Sequence, residues 1–508
     1  MLRKRNDNQL QVGAVLSYLY SIAQIVVGLV YVPLLLNGIG QEEYGMYQFV
    51  GSIMSYLVSI NSVLASGVGR FYCKYKAENN IVMMENTLAI ARRIYWIASI
   101  FILVISVFAG FIVSTVYVNT FTSEQLYECF LMFVVLGFNC VVTVNNLINV
   151  AVITGHERFV FLKSTQLATV IAQPVIVILL LSFYPKALLI TLIVLGTNLI
   201  CAVLQRVYSK NVLKVKYTFH GFDKALIKSL AAFSGSILMV AIADQIFWKM
   251  DQIIIGYLYG PMLVAVYAVG SQIIMSFIPF GTAISSVFLP KISNLYHGER
   301  NIEAISNLFI RVGRITFYVV FGILCGFIIF GKDFIQLWVG ESYIDAYYIA
   351  VIVMVPMVID LSQNIGLTIL QVENKYYFRG YVRLGIALLN AIGTFFAVQH
   401  FGILAAAVVT AISSFLGDGL IMNFYYFKKI KLNILSFWKN ILRVALPTFL
   451  LSCFFFVFLL IFDGLISGWI HLIGMALIYI VLYLIIAYLF SMDNFEKDII
   501  RSIARFNK

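Results

Sequence analysis

Residues 244–251, DQIFWKMD, put three charges into an apolar stretch that runs from about Ala231 to Tyr259. Each charge at the centre of a lipid-facing helix costs about 2.5–3.5 kcal/mol on insertion scales. Asp244, Trp248 and Asp251 are spaced i, i+4, i+7 and share one helical face. Lys249 projects about 140° from Asp244 and about 160° from Asp251, so a pair within the helix is awkward. Its counter-charge must lie on another helix, in a water-filled cavity, or on a substrate. An ammonium here suits an anionic group, and the two intramembrane acids suit H+ or Na+ coupling. Snorkelling of Lys249 and inter-helical pairing of the acids are the structural alternatives.

Other polar residues interrupt apolar runs. Asp360 opens the polar part of MVIDLSQN, followed by Gln363 and Asn364, and Asn145 and Asn146 lie in VNNLIN. Amides at such positions either hydrogen-bond sugars or join helices. Arg70, Arg314 and Arg383 fall about a turn inside the ends of their apolar runs. They anchor those ends, or offer bidentate donors to phosphate oxygens. Asp418 and Asn390 are further inclusions.

These residues sit in a chain of 508 residues that is 62% hydrophobic and only 11% charged. A soluble chain carries roughly a quarter charged residues, so this is a polytopic membrane protein. A spanning helix needs about 20 apolar residues. Fourteen spans are expected, at 11–36, 44–70, 90–118, 125–152, 160–183, 187–209, 226–257, 262–289, 308–331, 344–370, 379–399, 402–427, 438–462 and 467–490. The first run follows Arg3, Lys4 and Arg5 and is too long for a signal-peptide core. Lipid forces backbone groups to pair within each segment, so the fold is all-α.

Basic residues orient the spans. With the N-terminus inside, all of the 35 except Lys186, Lys332 and Lys249 fall on the cytoplasmic side, most densely Arg206, Lys210, Lys214, Lys216, Lys224 and Lys228. Both termini are then cytoplasmic. The formal charge of +12 is explained without nucleic acid. Five prolines, Pro33, Pro174, Pro279, Pro356 and Pro447, fall inside spans and mark kinks. Six scattered cysteines form no CxxC pair and read as packing residues, and no cofactor or metal motif is present.

The chain repeats itself. GIGQEEYGMYQFVGSI (38–53) echoes LYGPMLVAVYAVGSQI (258–273), with Gly40 on Gly260, Tyr47 on Tyr267, Ile53 on Ile273 and Gly45 on Ala265. ITGHERFVF (153–161) echoes LQVENKYYF (370–378), and Asn146 falls on Gln363. The offset spans six helices, so the copies are parallel, a pattern that places substrate sites between two lobes near the midplane. The expected organisation is an N-terminal lobe 1–209, a linker 210–225, a C-terminal lobe 226–430, and two added helices with a tail, 431–508.

These links, together with GHERF after the fourth span, resemble the polysaccharide transporter flippases of the Wzx type, in the multidrug/oligosaccharidyl-lipid/polysaccharide exporter superfamily. The resemblance covers nearly the whole chain. Fourteen spans exceed what many members show and are similar to the lipid II flippases. The resemblance implies a V-shaped, MATE-like bundle that moves a polyprenyl-diphosphate-linked oligosaccharide (O-antigen, capsule or exopolysaccharide) from the inner to the outer leaflet by alternating access. It implies a bacterial or archaeal cytoplasmic membrane, lipids and polysaccharide-assembly proteins as partners, and ion coupling. On that reading Lys249, Arg70, Arg314 and Arg383 meet diphosphate or acidic sugar, and Asn145, Asn146, Gln363 and Asn364 meet glycan. Asp244, Asp251 and Asp360 couple H+ or Na+.

Lipid II, teichoic-acid and multidrug exporters of the same superfamily remain alternatives. A membrane glycan polymerase or acyltransferase is disfavoured, because the outer loops are short and the five histidines, His156, His220, His297, His400 and His471, form no paired constellation. No enzyme activity is expected.

Overall fold

The computed structural model describes residues 2–221, 224–296, 301–373, 375–462, 464–494, 496–498 and 501. For 2–8, 10, 62–63, 65–66, 224–237 and 286 it describes the backbone alone. His297, Arg300, Arg505 and Lys508 of the sequence map, and part of the 210–225 linker, lie outside the described residues.

Long apolar runs with few breakers produce helix after helix, and no strand occurs among the described residues. The helices are α1 (Leu2–Ala77), α2 (Ile81–Val116), α3 (Ser123–Gly155), α4 (Phe159–Leu181), α5 (Ala187–Val207), α6 (Lys224–Tyr259), α7 (Pro261–Ser286) and α8 (Leu289–Asn294). They continue as α9 (Ile302–Val339), α10 (Ile344–Ser362), α11 (Ile365–Val372), α12 (Tyr376–Phe401), α13 (Ile403–Ser414), α14 (Met422–Tyr425), α15 (Ile434–Ile461) and α16 (Trp469–Ile486). Pro33, Pro174, Pro279, Pro356 and Pro447 all fall inside helices.

Among the described residues, 12 helices are long and apolar enough to cross a membrane, against the fourteen spans expected from sequence. Neither difference removes an expected helix. Expected spans 11–36 and 44–70 lie in the single helical run of α1, interrupted at Gly40 (φ 80°, ψ 174°). The expected span 226–257 is α6, whose fully described part, 238–259, carries Asp244, Lys249 and Asp251 and is too polar to count. A third departure is internal. The expected span 344–370 is two helices, because the chain turns at Gln363–Asn364 between α10 and α11.

Two compact units divide the chain, residues 1–268 and 269–508. In the first, α1 packs on α3, α4 and α6, and α2 and α5 pack on α3. Gly40 and Gly260, paired by the internal repeat, adopt the same left-handed backbone, φ 80° and 79°. Side chains resist that region and glycine does not, so each glycine lets one helix turn directly into the next. Near these turns Lys186 meets Glu43 at 2.9 Å and Glu124 and Glu128 at 3.4 Å. The Glu43 contact holds the Lys186 ammonium above lysine's ordinary range, ahead of the opposing cost of burial.

Gly45 shows how closely this unit is packed. A Cβ on it would lie 1.9 Å from the carbonyl oxygen of Pro261, a backbone atom with no rotamer to yield, whereas Gly51 faces open space. Alanine is intrinsically about 1 kcal/mol better than glycine inside a helix. The expected result is therefore a split. Gly51→Ala is neutral or mildly stabilising, and Gly45→Ala destabilises by about 3 kcal/mol or more because α1 and the start of α7 must separate. Melting of the two purified variants checks this, and equal midpoints would contradict the packing.

In the second unit α9 is the hub, packed by α10, α15 and α16. The C-terminal helices join it through a cluster of Cys325, Ile329, Phe330, Phe455, Leu472, Tyr479 and Tyr483. Their other faces expose Leu446, Leu450, Phe454 and Ile485, as lipid-facing helices do.

Candidate functional site

The charged segment of α6 is the first candidate. Asp251 and Gln252 are buried, at 2% and 1% exposure, and Asp251 accepts a hydrogen bond from the Tyr267 hydroxyl of α7. Tyr267 is the residue that the repeat pairs with Tyr47, so the sequence marked the position but not its bond. Asp244 is partly buried and engaged by a polar or electrostatic contact. Lys249 is partly buried, and among the described residues no hydrogen bond or ion pair reaches its ammonium. The Oε1 of Gln252 on this helix, and the hydroxyls of Tyr31 and Tyr56 on α1, which packs on it, are buried without a hydrogen-bond partner among the described residues. Polar atoms left so cost about 1–3 kcal/mol each, and they give the segment capacity to bond something that enters it.

Asn145 and Asn146 stand elsewhere in the first unit, on α3. Asn149 donates to Asn146 Oδ1 at 3.0 Å, Asn146 to Gln205 Oε1 at 2.8 Å, and Gln205 to Thr165 Oγ1 at 3.0 Å. Asn145 donates to Ser99 Oγ and to the Val141 carbonyl, both at 2.8 Å. This amide chain ties α3 to α2, α5 and α4, and three of its members line a cavity of 810 Å³. Arg92, Arg206, Lys210, Lys214 and Lys216 line the same cavity, and no carboxylate does. The sequence showed most of these cations only as an orientation signal.

Gln363, Asn364, Asp360 and Arg383 belong to the second unit. After α13 the chain continues as π-helical turns over Phe415–Ile421. Such turns displace backbone carbonyls from their helical partners and gather at functional sites. Here Gln363 Nε2 donates to the Asp418 carbonyl at 2.5 Å, and Arg383 Nη1 meets Asp418 Oδ2 at 3.0 Å. Arg383 and Asp418 are both buried, at 8% and 5% exposure. Arg379, which the sequence map treats as a boundary cation, feels both Asp360 and Asp418. Asp360 is itself engaged, and Gln363 Oε1 is buried without a hydrogen-bond partner among the described residues. The structure thus joins Gln363, Arg383 and Asp418 into one polar group.

Arg314 is held from the C-terminal end. Its Nε and Nη2 meet Glu496 Oε1 and Oε2 at 2.7 and 2.8 Å, and its Nη groups reach Asn440 Oδ1 and the Ser491 carbonyl. Glu496 and Asp493 exchange the reciprocal bonds of a capping box, each at 2.9 Å. The spacing Asp493-x-x-Glu496 carries that signal in the sequence. Arg70, in the last turns of α1, is exposed and engaged. Within the first unit the expected residues lie on α6, at the α3 cavity and at the end of α1; within the second they lie at the ion pair between α12 and the π-helical turns and at the clamp between α9 and the C-terminal end.

Comparisons with known proteins agree with the fold. A family model described as polysaccharide biosynthesis protein matches residues 39–348. The chain is 24% identical over 227 residues to the capsular polysaccharide biosynthesis protein CapF of Staphylococcus aureus, covering 44% of this chain and 52% of that one. It is 24% identical over 231 residues to the teichuronic acid biosynthesis protein TuaB of Bacillus subtilis (strain 168), covering 45% and 46%. The chain thus spans about half the length of the curated relatives it matches. Its fold is similar to that of the lipid II flippase MurJ in an inward closed conformation, with TM-score 0.73 and 14% identity over 95% of this chain and 100% of that one. It is also similar to an inward-facing multidrug resistance MATE family transporter, with TM-score 0.62 and 12% identity over 82% and 96%.

Proposed function

Because the chain belongs to the polysaccharide biosynthesis protein family, we propose that it is a flippase. It carries a polyprenyl-diphosphate-linked oligosaccharide from the inner to the outer leaflet of a bacterial cytoplasmic membrane by alternating access. The cargo is a repeat unit of a capsule or wall polysaccharide, the class to which the names of both curated relatives point. The observation that carries this reading is the partly buried ammonium of Lys249, unpartnered among the described residues on α6. An unpaired intramembrane cation is costly, and an anionic cargo supplies the missing counter-charge during each cycle.

Roles follow from the company each residue keeps. Lys249 and Arg70 meet the diphosphate or an acidic sugar. Arg314 and Arg383 already face carboxylates, so their work is to fix helices. Asp244 and Asp251 on α6 are the acids for H+ or Na+ coupling, and Tyr267 tunes Asp251. Asp360 serves the charge group of α12 and the π-helical turns. The helices up to α5 and those from α6 to α14 form the two lobes, both termini face the cytoplasm, and α15 and α16 flank the lipid tail. Other polysaccharide-assembly proteins supply and consume the cargo.

The test is reconstitution of the full chain in vesicles with a fluorescent polyprenyl-diphosphate oligosaccharide on the inside. Protein-containing vesicles should expose the glycan outside faster than protein-free ones, and an imposed proton or sodium gradient should change that rate. Equal rates with and without protein would reject transport, and indifference to both gradients would reject coupling.

A further inference from the structure

We propose that the cavity between α2, α3 and α5 binds the phosphate headgroup of an anionic membrane lipid, whose chain lies along the apolar faces of α2 and α5. The argument starts from charge. Arg92, Arg206, Lys210, Lys214 and Lys216 surround 810 Å³, and none of the five has an ion pair or hydrogen bond among the described residues. Glu85, an acid near the start of α2, is bonded to His220 Nε2 at 3.0 Å. Five cations around one space repel each other, and an anion entering it removes that repulsion.

The cations are positioned, not merely nearby. At 36 residues α2 is far longer than the ~20 a span requires, and its extra turns carry Arg92. After the π-helical turns Tyr208–Val212 the chain takes a left-handed residue at Lys214, φ 51°, and runs across the ends of α2 and α3. Three contacts pin this strap. Tyr217 donates to Asn149 Oδ1 at 3.4 Å, the His220 amide donates to Asn86 Oδ1 at 3.0 Å, and Arg93 lies 3.6 Å over the Phe219 ring. Lys214 and Lys216 are thereby held at the cavity that Asn146 and Asn149 also line, each of these amides keeping one hydrogen unused in the chain of bonds described above.

The apolar wall selects a lipid over a soluble phosphate. Trp96, Leu199 and Val203 line the cavity and are 57%, 48% and 51% exposed, continuing the lipid-facing surfaces of α2 and α5. Tryptophan favours the membrane interface, and basic pockets between membrane helices bind anionic headgroups. Bulk anionic phospholipid and a polyprenyl diphosphate share this chemistry. The inference concerns binding and does not rest on transport.

Purified full-length protein is titrated in detergent with phosphatidylglycerol, phosphatidylcholine and a polyprenyl diphosphate, and retained lipid is read by native mass spectrometry. The triple variant Arg206→Gln, Lys214→Gln, Lys216→Gln should bind anionic lipid roughly a hundredfold more weakly, from ~1 kcal/mol per basic residue. A charge-matched control, Lys429→Gln, Lys431→Gln, Lys439→Gln, removes three exposed lysines of the second unit and should bind as wild type. Unliganded melting temperatures of both variants verify folding. Tight binding of phosphatidylglycerol identifies a bulk-lipid site, and binding of the diphosphate alone identifies a site for a polyprenyl carrier; either supports the proposal. Equal retention of phosphatidylcholine, unchanged binding by the first variant, or an equal loss in the control overturns it.

Discussion

Glu496→Ala should destabilise the second unit by about 3–5 kcal/mol, the cost of leaving one member of a buried ion pair alone. Arg314 sits 7% exposed on α9, and Glu496, 4% exposed, meets it through both oxygens. The same carboxylate accepts the Asp493 amide and the Tyr318 hydroxyl. Its loss unpairs an amide and a phenol and leaves the guanidinium with only Asn440, the Ser491 carbonyl and the half-exposed Asp493 carboxylate at 3.8 Å. Glu496→Gln keeps the shape and some of the bonds, so it should fall between wild type and alanine. Replacing both partners with apolar residues, Arg314→Met with Glu496→Leu, should recover most of the loss, because no charge is then left buried. Melting of purified protein in detergent provides the comparison. A wild-type midpoint for Glu496→Ala would mean that the clamp contributes nothing, and a double variant worse than either single would mean that shape rather than charge governs the site.

Lys249→Ala should lower glycan translocation by at least about thirtyfold while leaving protein level, insertion and melting temperature unchanged or improved. The transport loss follows from truncating one side of a desolvated charge contact, about 2–5 kcal/mol, at 1.4 kcal/mol per tenfold. The stability half of the expectation separates this site from the clamp. Lys249 has no partner among the described residues to strand, and removing an unpaired charge from a membrane helix relieves its desolvation. Lys249→Arg keeps the charge and should retain part of the activity. Translocation at the wild-type rate by Lys249→Ala would end the assigned role. A collapse in protein level would show instead that the ammonium holds the fold.

The two variants make opposite demands on residues that look alike in sequence. Arg314 and Lys249 are both basic residues associated with apolar spans, and both were expected to meet a phosphate. The difference arises because the partner of Arg314 stands 182 positions along the chain. Arg383 and Asp418, 35 apart, are brought together by the meeting of α12 with π-helical turns that no apolar periodicity announces. The cations of the α3 cavity were visible individually, but not the strap that gathers them.

Much else was legible from the residues alone. Apolar length specified the helices, because a chain in lipid must satisfy its own backbone bonds. The repeat pairs Gly40 with Gly260, and both take a positive φ that only glycine enters cheaply. The charges of α6 were evident because one lysine and two aspartates stand out in 29 apolar-rich residues, 231–259. Hydropathy and backbone freedom are properties of neighbours in the chain, so sequence determines them. Which charge is neutralised and which is left open depends on the faces that distant helices present to each other, and that only the tertiary structure decided.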